Sequence, residues 1–218
     1  MFSGLVREIA KVRTLENNIL RLESTYTPQI GDSIAVNGMC LTAIALHSDG
    51  FSLEISKHSA QSVAIENYTK LVHIEPALRA DSRLDGHFVQ GHIDSIGTIT
   101  AIDSHSNQTL FTIAVDERTL GLVIPQGSIT IDGISLTISS VGEGAFTLTI
   151  IPHTMQNTLF STYKVGRRVN IETDVLVRSV AHILARMSNA ESMRAFARSI
   201  TSPRVPSWSE LDDIALRY

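Results

Sequence analysis

The sequence predicts a mainly β protein: two similar small barrels in tandem, followed by one α-helix. Three observations predict this. Four segments of the first half recur in the second half in the same order. Both copies read as short runs of alternating apolar and polar residues broken by Gly, Asn and Asp. Apolar residues take up helical spacing only after Asp174.

The repeat begins loosely, with Gly4-Leu5-Val6 and the alternation after it set against Gly91-His92-Ile93. It sharpens at Gly31-Asp32-Ser33-Ile34-Ala35-Val36-Asn37-Gly38-Met39-Cys40-Leu41-Thr42, which aligns with Gln126-Gly127-Ser128-Ile129-Thr130-Ile131-Asp132-Gly133-Ile134-Ser135-Leu136-Thr137. Within these runs Asn37-Gly38 and Asp132-Gly133 read as hairpin turns, where positive φ is needed, and that reading is compatible with a place beside a site. Ser52-Leu53-Glu54-Ile55-Ser56-Lys57-His58-Ser59 then matches Thr147-Leu148-Thr149-Ile150-Ile151-Pro152-His153-Thr154, and Val72-His73-Ile74-Glu75 matches Val169-Asn170-Ile171-Glu172. Closing each half into a barrel removes the exposed edges that an open sheet would leave.

After the second copy, Asp174 is placed as an N-cap, and Leu176, Val180, Ile183, Leu184 and Met187 form an apolar stripe. Such a stripe could dock on a barrel or pair with other copies of itself. The expected boundaries are 1–86 and 87–173 for the barrels, 174–198 for the helix and 199–218 for a tail containing Trp208 and an acidic cluster.

Composition narrows the function. A net charge of −4 with no basic stripe argues against a nucleic-acid partner. Arg7, Glu8 and Lys11 interrupt the amino-terminal residues, and no apolar run approaches the roughly 20 residues that span a bilayer, so a cytoplasmic protein without a membrane partner is expected. The single cysteine, Cys40, leaves the fold to stand on packing without an internal disulfide.

Two equivalent half-sites in one chain suggest that two similar small molecules are bound. Cys40 and Thr42 in the first half correspond to Ser135 and Thr137 in the second. Residues two apart on a strand share a face, so each pair presents two small polar groups together, suited to the edge of a flat polar heterocycle. A lone cysteine also reads as a small buried residue. Phosphate-binding and dinucleotide-binding glycine motifs are missing, as is a serine-nucleophile elbow. His87 and His92, five apart, would point to opposite strand faces, and no thiolate pair accompanies them, so no metal is expected.

Six segments resemble the riboflavin synthase family of the trimeric alpha-chain type: Met1-Phe2-Ser3-Gly4-Leu5-Val6, residues 37–42, Gly86-His87-Phe88-Val89-Gln90-Gly91-His92-Ile93-Asp94, residues 132–137, Ile151-Pro152-His153-Thr154, and Asn170-Ile171-Glu172-Thr173-Asp174. The resemblance implies two six-stranded Greek-key β-barrels and a C-terminal trimerisation helix. It implies dismutation of two molecules of 6,7-dimethyl-8-ribityllumazine, one the donor and one the acceptor of a four-carbon unit, giving riboflavin and 5-amino-6-(D-ribitylamino)uracil without a cofactor. The site would lie between the first barrel of one chain and the second barrel of the next. Partners would be two further copies of the chain, with lumazine synthase, which supplies the substrate, a candidate. A non-catalytic lumazine or flavin antenna is the nearest rival.

By matching positions, the resemblance assigns Ser135 and Thr137 to polarising or deprotonating one ring, with Cys40 and Thr42 equivalent in the other barrel. His92 and Asp174 become candidates for proton transfer and ribityl contact, beside their readings as a hydrogen-bonded strand histidine and an N-cap. Phe2 matches a residue whose ring sits near the site, although a free-standing Phe is more often just core. Gly4, Leu5, Val6, Gly91, Ile93, Leu41 and Leu136 would line the ligands. Glu54, Ile55, Ser56, Lys57, His58 and Ser59 would wrap one from the opposite side, and Ile150, Ile151, Pro152, His153, Thr154 and Met155 the other. Gln126 stands where the family commonly has Lys, which weakens a charged contact there.

Overall fold

In the computed structural model, which describes residues 1–187 and 194, six strands close each barrel. The first contains β1 (Glu8–Glu16), β2 (Ile19–Glu23), β3 (Ser33–Val36), β4 (Met39–His47), β5 (Gly50–Glu54) and β6 (Leu71–Pro76), arranged β1-β2-β5-β4-β3-β6. The second contains β7 (Ser95–Ser104), β8 (Thr109–Ala114), β9 (Ser128–Ile131), β10 (Ile134–Val141), β11 (Ala145–Ile150) and β12 (Arg168–Thr173) in the corresponding circular order. Short helices α1 (Lys57–Gln61), α2 (Glu117–Leu120) and α3 (Pro152–Asn157) lie in connections, and α4 (Val175–Arg186) follows β12. The helix expected over 174–198 is described as α4 only through Arg186, and the tail expected over 199–218 lies outside the described residues. No described helix is long and apolar enough to cross a membrane.

Alternation builds two cores. Leu20, Leu22, Phe51, Leu53, Val72 and Ile74 point into the first barrel, while Phe111, Ile113, Phe146, Leu148, Val169 and Ile171 point into the second. The repeat extends to irregularities: bulges near Val12 and Ala43 recur near Ile99 and Ile138. Asn37-Gly38 has φ of 43° and 83°, and Asp132-Gly133 has 45° and 84°, the left-handed pair a two-residue hairpin requires.

Those two turns meet back to back. A Cβ at Gly38 would come within 2.8 Å of the Gly133 amide nitrogen, and one at Gly133 within 2.8 Å of that of Gly38, so only glycine permits the approach. Around this pseudo-twofold axis the halves exchange bonds. The Asn170 amide donates to the Asn37 carbonyl at 2.8 Å and accepts from Ala64 N–H at 2.8 Å. His73, at the matching position, has Nδ1 3.0 Å from the Asp132 carbonyl and accepts from Leu159 N–H through Nε2 at 2.8 Å. These partners fix a neutral imidazole with its proton on Nδ1.

The leading segments are exchanged as well. Val6 packs against the second core and Ile93 against the first. Each segment is clamped by a buried carboxylate: Glu75 accepts from the amides of Ser3 and Gly4, and Glu172 from those of Gln90, Gly91 and His92. Burial raises both carboxyl pKa values, and the amides oppose it.

Candidate functional site

β4 and β10 start at equivalent turns and each is joined by the other half's leading segment. Cys40 N–H donates to the Gly91 carbonyl at 2.8 Å, and Ser135 N–H to that of Gly4 at 2.8 Å. Positive φ at Gly4 and Gly91, 79° and 80°, brings each segment so close that a Cβ would sit 2.6 Å from the Cβ of Ser135 or Cys40. Each half-site is thus walled by residues from both halves of the chain.

In the first half this wall bounds a cavity of about 330 Å³ lined by Met39, Cys40, His58, Ser59, Ser62, Val63, Gly91, His92 and Ile93. Six of the expected residues, Cys40, His58, Ser59, Gly91, His92 and Ile93, therefore come together, with the exposed His92 imidazole at the rim. The opposite side is α1, capped where Ser56 Oγ accepts from Ser59 N–H at 3.0 Å. Thr42 is exposed two residues along β4 and faces Glu54 across the β4–β5 ladder. Leu41 and Ile55 point into the barrel core, so only their backbones can meet a ligand.

The second half repeats the frame with other side chains. Ser135 replaces Cys40, His153 and Thr154 replace His58 and Ser59, and Leu5 and Val6 replace His92 and Ile93. Thr137 is exposed like Thr42, Leu136 packs against the core and Ile150 is buried within it. Pro152 begins α3, and Ile151 is 54% exposed. Met155 also leans on the core. Gln126, exposed with φ 63°, makes the turn that Gly31 makes in the first half. A larger groove of about 980 Å³ holds Leu5 and Val6 but neither Cys40 nor Ser135.

Phe2 is fully buried against Ala35, Val89, Cys40 and Ala77, behind the first wall. Asp174 caps α4, its Oδ1 accepting from Leu176 N–H at 2.8 Å. Arg178 ties the His92 loop to the barrel end: its guanidinium reaches Asp94, donates to Gln90 Oε1 at 2.8 Å and lies 3.7 Å from Glu172.

Sequence reasoning missed His87. It follows a bend at Asp85-Gly86 and precedes an isolated bridge at Val89 rather than lying in a ladder strand, so the face-alternation argument does not apply. Its ring turns inward, with Nδ1 2.7 Å from Ser135 Oγ and Nε2 3.3 Å from Thr130 Oγ1. Burial lowers its pKa, and the Asp174 carboxylate opposes that shift. The Gly86-His87 pair inside a family-like segment was the available signal. Met39, Ser62 and Val63 were also missed, since the folded α1 connection is what brings the last two to the cavity.

Comparison with known proteins agrees with the doubled architecture. The family model described as lumazine binding domain matches twice, at residues 3–77 and 90–174. Riboflavin synthase of Bacillus subtilis is 30% identical over 211 residues, covering 93% of this chain and 98% of that protein. The Mycobacterium bovis riboflavin synthase is 35% identical over 200 residues, covering 84% and 98%. Among solved structures, LumP complexed with riboflavin superposes with a TM-score of 0.71 over 79% of this chain and 99% of that one, at 19% identity, a likeness of fold. With two domain matches in register with the two barrels and relatives aligned nearly end to end, the chain belongs to the riboflavin synthase family.

Proposed function

We propose that the protein is a riboflavin synthase, joining two molecules of 6,7-dimethyl-8-ribityllumazine to give riboflavin and 5-amino-6-(D-ribitylamino)uracil by transfer of a four-carbon unit, without a cofactor. The observation that carries this reading is the duplicated wall, Cys40 on Gly91 and Ser135 on Gly4, which offers two similar molecules two similar seats. The lumazine C7 methyl group is acidic because its anion delocalises into the ring, so modest bases suffice. Holding two rings in a productive orientation supplies much of the rest, roughly 7–11 kcal/mol for well-placed reactants.

In this reading the ring edges meet Cys40 and Thr42 in one barrel and Ser135 and Thr137 in the other, while His92 and Asp174 serve proton transfer and ribityl contact. Three chains assemble through α4, on which Leu176, Val180, Ile183 and Leu184 are exposed along one face. The first barrel of one chain then faces the second barrel of the next. The protein works in the cytoplasm, and lumazine synthase is a candidate partner, to be sought by co-sedimentation.

Following absorbance as purified protein meets the lumazine tests the reading. Two substrates should disappear for every riboflavin formed, with one pyrimidine released. Binding without turnover would instead favour a flavin or lumazine antenna.

A further inference from the structure

The turn before β12 gives the second half something the first lacks. Two residues, 69–70, separate Tyr68 from Leu71, whereas four, 164–167, separate Tyr163 from the matching Arg168. The longer connection makes a type II turn, closed by the Arg167 N–H donating to the Lys164 carbonyl at 3.1 Å, with Gly166 at φ 89° where positive φ is needed. Its two ends are therefore cations held side by side, and Arg168 follows at once.

Against this turn stands the first half's 3₁₀ turn, Ile65–Asn67. Asn67 Nδ2 donates to the Arg168 carbonyl at 2.8 Å, and the Arg168 guanidinium lies 3.1 Å from Glu66. Glu66, Asn67, Thr162, Lys164, Arg167 and Arg168 line one groove of about 350 Å³. Its charge is unbalanced. On the first barrel Arg13 and Arg21 share Glu23 and Asp49, but here three cations face one exposed carboxylate, and Lys164 makes no ion pair among the described residues.

Arg167 is fixed in place but only partly engaged. Its guanidinium lies 4.1 Å over the Tyr163 ring, and one nitrogen reaches Asp132 at 3.4 Å. That buried carboxylate already accepts from the Tyr163 hydroxyl at 2.6 Å and from Asn170 N–H at 2.8 Å, while Arg167 Nε is buried without a partner. A guanidinium oriented in advance, with most of its donors unspent, suits an oxyanion.

We infer that this groove is a binding site for a diphosphate group, seated between Lys164, Arg167 and Arg168 where the two halves of the chain meet. None of the half-site residues lines it, so it stands whether or not the lumazine reading holds. Three cations spread over a turn and the start of a strand exceed what one phosphate requires and match two linked phosphoryl groups. A polynucleotide would need a longer basic track than three residues supply. Glu66 opposes the ligand and competes for Arg168. Because the groove takes residues from both halves, its occupant should also stabilise their junction.

The test is isothermal titration calorimetry of the full chain with sodium pyrophosphate, inorganic phosphate and ADP, without magnesium. Pyrophosphate should occupy a single site per chain, bind about tenfold more tightly than inorganic phosphate, and weaken as salt rises. Lys164→Gln with Arg168→Gln should weaken binding about tenfold or more, and Lys164→Gln alone about threefold. These side chains are exposed and contribute little to stability, so the variants should fold. Arg79→Gln with Arg118→Gln removes the same charge elsewhere on the surface and should change affinity less than about twofold. Glu66→Gln should tighten binding about threefold, a gain that only a ligand beside Arg168 would give. Pyrophosphate should raise the Tm of wild type but not of Lys164→Gln with Arg168→Gln. ADP bound within about tenfold of pyrophosphate supports a nucleoside diphosphate as the ligand, and ADP bound more weakly than that supports free pyrophosphate. No saturable binding of pyrophosphate or ADP, or equal weakening in the charge-matched control, overturns the assignment.

Discussion

Replacing His73 by Asn should separate acid sensitivity from packing at the junction of the two barrels. His73 is 2% exposed, and burial depresses its pKa to about 4 from an ordinary 6.5. The sign follows from proton uptake: between those values the unfolded chain binds the proton first, so stability is lost as pH falls from 6.5 toward 4. From these two pKa values the loss is about 2 kcal/mol at pH 5 and about 3 kcal/mol at pH 4. Asn is the residue the second half uses at the equivalent Asn170, where one amide donates to a carbonyl and accepts an N–H. His73→Asn should therefore stay within about 1 kcal/mol of wild type at pH 7.5. His73→Leu, leaving Leu159 N–H and the Asp132 carbonyl unpaired, should cost about 2–4 kcal/mol at the same pH. Urea unfolding at pH 7.5 and pH 5, at one fixed protein concentration, measures both effects. Wild type should lose about 2 kcal/mol more than His73→Asn over that interval. Parallel losses in the two proteins would refute the assignment of the acid response to His73.

Gly38→Ala combines positive φ with a Cβ 2.8 Å from the Gly133 amide nitrogen; it should cost about 3 kcal/mol or more and lower Tm by roughly 6–12 °C in a thermal melt. Arg178→Ala removes the group joining Asp94, Gln90 and Glu172, so the His92 loop should loosen and riboflavin affinity fall about tenfold in a fluorescence titration. Val180→Glu with Leu184→Glu places two charges on the exposed face of α4 and should leave monomers with little turnover; a trimer in sedimentation velocity would move the assembly contacts elsewhere.

Much of the architecture was legible because the repeat is written in residues that backbone geometry demands. Asn37-Gly38 and Asp132-Gly133 announce their turns, and the switch of spacing after Asp174 announces α4. The exchange of leading segments was not legible. Val6 and Ile93 look like ordinary strand-side apolar residues, and nothing local says whose core they join. His87 was hidden for a related reason. Its partners Ser135 and Thr130 lie 48 and 43 residues away, and only closure of β9 and β10 gathers them. The exchange at His73 and Asn170 was equally invisible, since the aligned residues differ in type while doing the same work.

The crossed leading segments bear on how such a chain could have arisen. A half-length ancestor would have had no second half to supply residue 91 opposite its Cys40 equivalent, so it could complete a site only by pairing with a copy of itself about the axis where Gly38 now meets Gly133. In such a symmetric dimer, any mutation changes both sites at once. Fusing two copies of the gene breaks that bond between the sites: one seat can become apolar around Phe2, Ala35 and Ala77 while the other gathers His87, Thr130 and Asp174, each drifting without dragging its twin along.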